Sequence, residues 1–128
     1  MAGLEEWARG AGEIEELCPS VEALDVAGFE SAVLGETDEE GIAIVHFFVR
    51  DLPISKYAAS ALEGVAQNGW QVFGIDCEAE ASTAVAERFA IGSMPTVVLF
   101  RGGRLAAHYA GFLGRTEIGQ WAVRHSQA

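Results

Sequence analysis

The sequence has few cysteines, few basic residues and no long apolar run. Its 128 residues include only two cysteines, Cys18 and Cys77, which lie far apart in the chain without a second pair or a histidine set nearby. This spacing excludes a disulfide scaffold and a zinc site of the usual kind, so we predict no metal and no cofactor. The longest apolar run, Ile42 to Val49, is interrupted by His46 and is too short to cross a bilayer, so we expect no membrane partner.

The shortage of basic residues leaves a formal charge of −11, from 8 basic and 19 acidic side chains. Such a charge opposes approach to phosphate backbones, and we expect no nucleic-acid partner. The acidic residues form either a solvated surface or a field that steers basic partners. The N-terminus carries Glu5 and Glu6 and lacks a basic flank before an apolar stretch, so it does not resemble a signal peptide and we expect a cytoplasmic protein.

Half of the residues are apolar, which is enough for one core and predicts one domain. Residues 1–20 are predicted to form an acidic arm with a short helix between Leu4 and Leu17, and residues 21–128 the domain. Strands are predicted at 21–24, 42–49, 71–76, 96–100 and 104–110, and helices at 28–34, after Pro53, at 78–89 and from Thr116.

These elements predict an α/β fold with a mixed sheet that carries helices on both faces. The run Ile42 to Val49 is typical of a strand buried on both faces in a parallel pair. Gly102 and Gly103 separate the last two strands, which predicts an antiparallel hairpin. Asp25 and Thr116 are expected to cap the helices that follow them.

The stretch from Phe89 to Arg104, which contains Met94-Pro95-Thr96, resembles the second half of a thioredoxin. The resemblance implies a thioredoxin fold from about Val21 to His125 and a cis peptide bond before Pro95. It also implies that Gly111 corresponds to the glycine that follows the last strand in that family.

The same resemblance implies that the redox motif is degenerate. The family's Trp-Cys-Gly-Pro-Cys belongs directly after the strand that ends at Val49, and this chain has Arg50-Asp51-Leu52-Pro53-Ile54 there. Only the proline is retained. The family's chemistry needs a thiolate at the helix N-terminus and a second thiol that resolves the mixed disulfide. We therefore expect no catalytic residue and no disulfide oxidoreductase activity.

Two neighbouring positions support the same interpretation. The family buries an acid six residues before its first cysteine, and counting back from Asp51 gives Val45. Asp51 itself has two interpretations, a helix cap or a catalytic acid, and the cap is favoured because no paired acid, base or metal accompanies it.

The resemblance further implies a surface for partner proteins, because thioredoxins hold extended peptides beside the cis-proline. Leu52, Met94, Pro95, Gly111 and Phe112 are the candidate binding residues. The alternative is that these residues persist only because the fold requires them. Residues 45–55 are similar to the phosducin-like branch, and Gly69 to Val72 to the hydrogenase-maturation chaperones.

The sequence thus favours a redox-inactive adaptor or co-chaperone that binds a protein partner. One alternative is a single-thiol redox protein acting through Cys77, although no basic residue nearby would lower the pKa of that thiol. Another is a structural subunit that forms oligomers. His46 is expected to be a hydrogen-bonded core histidine rather than a ligand.

Overall fold

The protein forms one five-stranded mixed sheet. The computed structural model describes residues 6, 7, 10 and 12–127. The strands are β1 (Glu22–Ala23), β2 (Ile42–Phe48), β3 (Val72–Asp76), β4 (Thr96–Arg101) and β5 (Arg104–Ala110), in the spatial order β1-β3-β2-β4-β5. β3 is parallel to both β1 and β2, whereas β4 is antiparallel to both β2 and β5. The predicted α/β fold with a mixed sheet is confirmed.

Helices cover both faces of this sheet. They are α1 (Ile14–Leu17), α2 (Val26–Phe29, continued by a π-helical turn over Glu30–Leu34), α3 (Pro53–Gln67), α4 (Glu80–Arg88) and α5 (Arg115–Ser126). One core cluster joins α2 and α4 to the sheet through Val45 and Phe47. A second joins α3 and α5 to it through Ile44. β2 is therefore buried on both faces, which explains its continuous apolar run.

Side chains explain where two of the helices begin. The Asp25 carboxylate accepts a hydrogen bond of 2.7 Å from the Gly28 N–H, which confirms the predicted cap of α2. Thr116 does not cap α5, contrary to prediction. That helix starts after Gly114, whose N–H donates to the carboxylate of Glu117 at 3.1 Å. A glutamate at the third helical position closes the first turn in this way, so no hydroxyl is needed.

Positive φ angles shape two connections. Gly102 and Gly103 have φ of 59° and 79°, and the two-residue turn of the predicted hairpin needs left-handed backbone at both positions. Ala90, directly after α4, has φ of 58° although it is not a glycine. Its N–H donates to the Glu87 carbonyl at 3.0 Å and the Ile91 N–H donates to the Ala86 carbonyl at 2.9 Å, which is the Schellman pattern of helix ends.

α4 is shorter than predicted at its N-terminus. It begins at Glu80 rather than at Glu78. The Asp76 carboxylate accepts a hydrogen bond of 3.0 Å from the Glu78 N–H, and this holds Cys77 and Glu78 in a turn.

The N-terminal arm packs against the domain, a point that the sequence left open. Ile14 and Cys18 are 2% and 5% exposed and form a small core cluster with Phe48 and Ala59. Ser20 donates from its N–H and its hydroxyl to the carboxylate of Glu63, each at 2.7 Å. Residues 14–20 are thus part of the folded unit. Leu4, where the predicted first helix starts, lies outside the described residues.

The two edge strands of the sheet differ in length. β1 is only two residues long, whereas β5 is a seven-residue edge strand with most of its residues exposed. None of the described helices has the length and apolar content needed to cross a membrane.

Candidate functional site

The candidate site lies where β2 and β3 end and α3 begins. α3 starts at Pro53, which has no N–H to be capped and has a backbone angle suited to a first helical turn. The residue that precedes it, Leu52, has extended backbone and forms the N-cap, and no side chain caps the helix. The predicted cap, Asp51, is therefore wrong, because this residue lies one position too early, and its side chain is exposed.

Arg50 occupies the position of the family's tryptophan and connects the arm to the sheet. Its guanidinium contacts Glu15 at 2.6 Å, Glu13 at 3.4 Å and Asp76 at 3.3 Å. The hydrogen bond from Arg50 lowers the pKa of the Glu15 carboxyl, and the same partnership raises the pKa of Arg50. Position 50 thus has an electrostatic role that joins α1 to the end of β3.

Both cysteines are buried free thiols, and neither belongs to the segment that opens α3. Cys77 follows β3, is 7% exposed, and its N–H donates to the Phe48 carbonyl at 2.8 Å. Burial, together with the Asp76 carboxylate, raises the pKa of Cys77 to about 11. Burial also raises the pKa of Cys18 to about 11, and its Sγ lies 3.1 Å from the Ile14 carbonyl. Both groups are protonated at neutral pH, whereas the reactive form of cysteine is the thiolate.

The structure joins three of the predicted binding residues directly: Met94, Pro95 and Gly111. The Met94–Pro95 peptide bond is cis, and the Pro95 carbonyl accepts a hydrogen bond of 2.8 Å from the Gly111 N–H. Phe112 and Leu52 are 45% and 38% exposed. Met94 is partly buried against the core cluster beneath α2 and α4. The surface therefore offers two exposed apolar side chains, and Met94 contributes mainly its backbone.

Two aromatic residues extend this surface beyond the predicted set. The Tyr57 ring lies 5.9 Å from that of Phe112 and 4.4 Å from that of Trp7 in the arm. Tyr57 is not among the binding residues predicted from the sequence. The sequence feature that could have indicated Tyr57 is an aromatic residue in the first half of α3 that does not belong to the apolar stripe of Ala58, Leu62 and Val65.

His46 is buried as predicted, but its environment differs from the prediction. It is 2% exposed, and its ring centroid lies 5.0 Å from that of Phe48. Its Nε2 has no hydrogen-bond partner among the residues that the structure describes. Burial lowers its pKa to about 3, so the ring is neutral. Val45 beside it belongs to the apolar core. In the described part of the chain, no cluster of His, Cys, Asp and Glu could hold a metal.

Comparison with known proteins agrees with this geometry. The sequence model of the thioredoxin family matches residues 20–124. A search of curated sequences finds no match. A mutant thioredoxin from Halobacterium salinarum NRC-1 superposes with a TM-score of 0.70 at 16% identity, covering 87% of this chain and 96% of its own, and this likeness concerns the fold alone. By its sequence match and its sheet order, the chain belongs to the thioredoxin family.

Proposed function

We propose that this chain is a redox-inactive thioredoxin-like adaptor or co-chaperone that binds a protein partner beside its cis-proline. The observation that carries the proposal is the start of α3, where Asp51 and Ile54 stand in place of the two cysteines. A thioredoxin reaction forms a mixed disulfide at the first thiol and releases it through attack by the second. Neither a carboxylate nor an aliphatic side chain can take these steps.

The exposed surface supports the binding half of the proposal. Leu52 and Phe112 leave apolar area in solvent, and Asp51 adds an exposed acidic group. With a chain charge of −11, the partner that fits best is a protein segment with apolar and basic side chains. Nucleic acid does not fit this charge. The proposal includes a cytoplasmic location, which two cysteines kept as free thiols support.

The two alternative functions have less support. A single-thiol redox role for Cys77 needs an accessible thiolate, whereas this thiol is buried and its pKa is raised. A structural subunit would associate through the open edge at β5, and light scattering that shows a stable dimer would favour it.

An insulin-reduction assay tests the loss of redox chemistry. The protein and its Cys77→Ser variant should both show only background reduction. A variant with Asp51→Cys and Ile54→Cys restores the family's spacing at a helix N-terminus, and we expect measurable reduction from it because the fold is intact. Activity of the unchanged protein that disappears with Cys77→Ser would contradict the proposal and support the single-thiol alternative.

Affinity capture from the source cell tests the binding surface. Leu52→Ser with Phe112→Ser removes both exposed apolar side chains and should release the captured partner, whereas Leu105→Ser, at an equally exposed position on β5, should not. Deleting the arm is not a suitable test, because it removes Ile14 from the core and exposes Glu63. Capture that is equal in all three proteins would overturn the proposed surface.

A further inference from the structure

A groove runs between α3 and α5, on the outer side of the helices that cover one face of the sheet. It consists of two depressions of about 460 Å³ and about 530 Å³ that meet at Arg115. Trp7, Tyr57 and Phe112 line one end, and Trp70 and Val123 line the other. Val123 is 46% exposed although it is aliphatic. We name this feature the α3–α5 groove.

Two glycines leave space on these helices. A Cβ at Gly64 on α3 would collide with the aliphatic stem of Arg115, so the missing side chain allows Arg115 to cross over α3. A Cβ at Gly119 on α5 would meet no atom within 4 Å, which means that open space lies above this residue. Arg115, Gly119 and Val123 follow one another at four-residue steps and therefore share one face of α5.

Arg115 is the only charged side chain among the described residues that line the groove. α3 and α5 carry three cationic side chains, Lys56, Arg115 and Arg124, in a protein whose net charge is −11. The two acids of these helices, Glu63 and Glu117, are not among the groove-lining residues; Glu63 accepts hydrogen bonds from Ser20 and Gln67, and Glu117 accepts one from Gly114. Within the part of the chain that the structure describes, Arg115 forms no ion pair.

We propose that the α3–α5 groove binds an acidic amphipathic helix of a partner protein, with a carboxylate on Arg115 and apolar side chains at the two aromatic ends. The distance along α3 from Tyr57 to Asn68 corresponds to about 17 Å, or about three helical turns. Helices bind in such grooves through apolar residues spaced three and four apart. Charge complementarity selects an acidic segment, because the unpaired cation lies at the centre of the groove.

This site meets the cis-proline surface at one end, where Trp7, Tyr57 and Phe112 belong to both, and extends away from it along α5. The two proposed partners have opposite charge. Loss of one activity can therefore be distinguished from loss of the other, since Leu52 belongs to the first surface and Gly119 to the second.

A phage-displayed library of helix-favouring peptides of about 12 residues, the length that spans the groove, tests the proposal with the complete chain as target. We expect the selected peptides to carry Asp or Glu flanked by apolar residues at spacings of three and four. The best peptide is then synthesised with a fluorescent label, and its Kd is measured by anisotropy, together with versions in which Gln or Lys replaces the central acid.

Matched variants assign the binding to the groove. Gly119→Leu should weaken the acidic peptide at least tenfold by filling the open space. Arg115→Gln should weaken the acidic peptide about fivefold and leave the Gln version unchanged, because one exposed charge pair is worth about 1 kcal/mol. Arg104→Gln on β5 changes the charge equally at a distant place and should have no effect.

Three results would overturn the proposal: no enrichment of acidic sequences, equal affinity for the Lys version, or normal binding to Gly119→Leu. Circular dichroism of each variant shows whether its fold is retained. If Leu52→Ser rather than Gly119→Leu raises the Kd of the peptide, the binding belongs to the cis-proline surface.

Discussion

Ala90 offers the sharpest test of the structure, because it has left-handed backbone where a glycine is usual. The residue is exposed, so its methyl group contributes little packing. Replacing it with glycine removes the clash between Cβ and the backbone while retaining both hydrogen bonds of the Schellman pattern. We expect Ala90→Gly to stabilise the protein.

The size of the gain follows from two opposing terms. Left-handed backbone costs a non-glycine residue about 1–2 kcal/mol. Glycine costs about 0.5–1 kcal/mol more conformational entropy on folding than alanine does. The net increase in the free energy of unfolding is therefore about 0.5–1 kcal/mol, which corresponds to a rise in Tm of roughly 2–5 °C for a domain of this size.

Urea unfolding followed by circular dichroism measures this difference. The matched control is Ala84→Gly, the same substitution at an exposed position inside α4. In regular helical backbone the glycine should lower the free energy of unfolding by about 1 kcal/mol. The two variants should therefore change stability in opposite directions. If Ala90→Gly is destabilised like its control, Ala90 does not have left-handed backbone in solution and the reasoning is refuted.

Three further predictions concern buried and paired groups. Burial lowers the pKa of His46 to about 3, so below pH 6.5 the unfolded chain takes up a proton that the folded chain does not. As the pH falls from 6 to 4, the free energy of unfolding should therefore decrease by about 1.4 kcal/mol per pH unit relative to that of His46→Leu. Parallel plots of this free energy against pH for the two proteins would contradict the prediction. Arg50 lowers the pKa of Glu15, so Arg50→Gln should lower the free energy of unfolding by about 1 kcal/mol above pH 5. Urea unfolding at a series of pH values should show this loss becoming smaller as the pH falls below 4.5. Ile14→Ala should lower the free energy of unfolding by about 2–4 kcal/mol, whereas an arm that did not pack on the domain would give almost no change.

The parts of the fold that the sequence predicts are those with strong local patterns. The apolar run of β2, the two-glycine hairpin and the stripe of Ala58, Leu62 and Val65 each reflect the burial of one or two faces, which composition and spacing record directly. Asp25 is predicted correctly because a cap involves residues only three positions apart.

The incorrect and missing predictions depend on tertiary contacts or on competition between local signals. Asp51 and Thr116 are both plausible caps by residue type, but Pro53 and Glu117 determine the actual starts of their helices. The contacts of Arg50 with Glu15 and Asp76 join segments distant in sequence, so no local pattern indicates them. The same holds for the α3–α5 groove, since Gly64 of α3 and Arg115 of α5 come into contact only after the helices pack.

The open edge at β5 affects how the protein behaves in concentrated solution. Seven residues of extended backbone are paired on one side only, and such an edge can add a strand from another copy. At neutral pH the charge of −11 makes two copies repel each other, but the sequence pI is about 4.5, where this repulsion vanishes. The colloidal stability of the protein should therefore be lowest under mildly acidic conditions, where repulsion between carboxylates no longer opposes the addition of a strand at this edge.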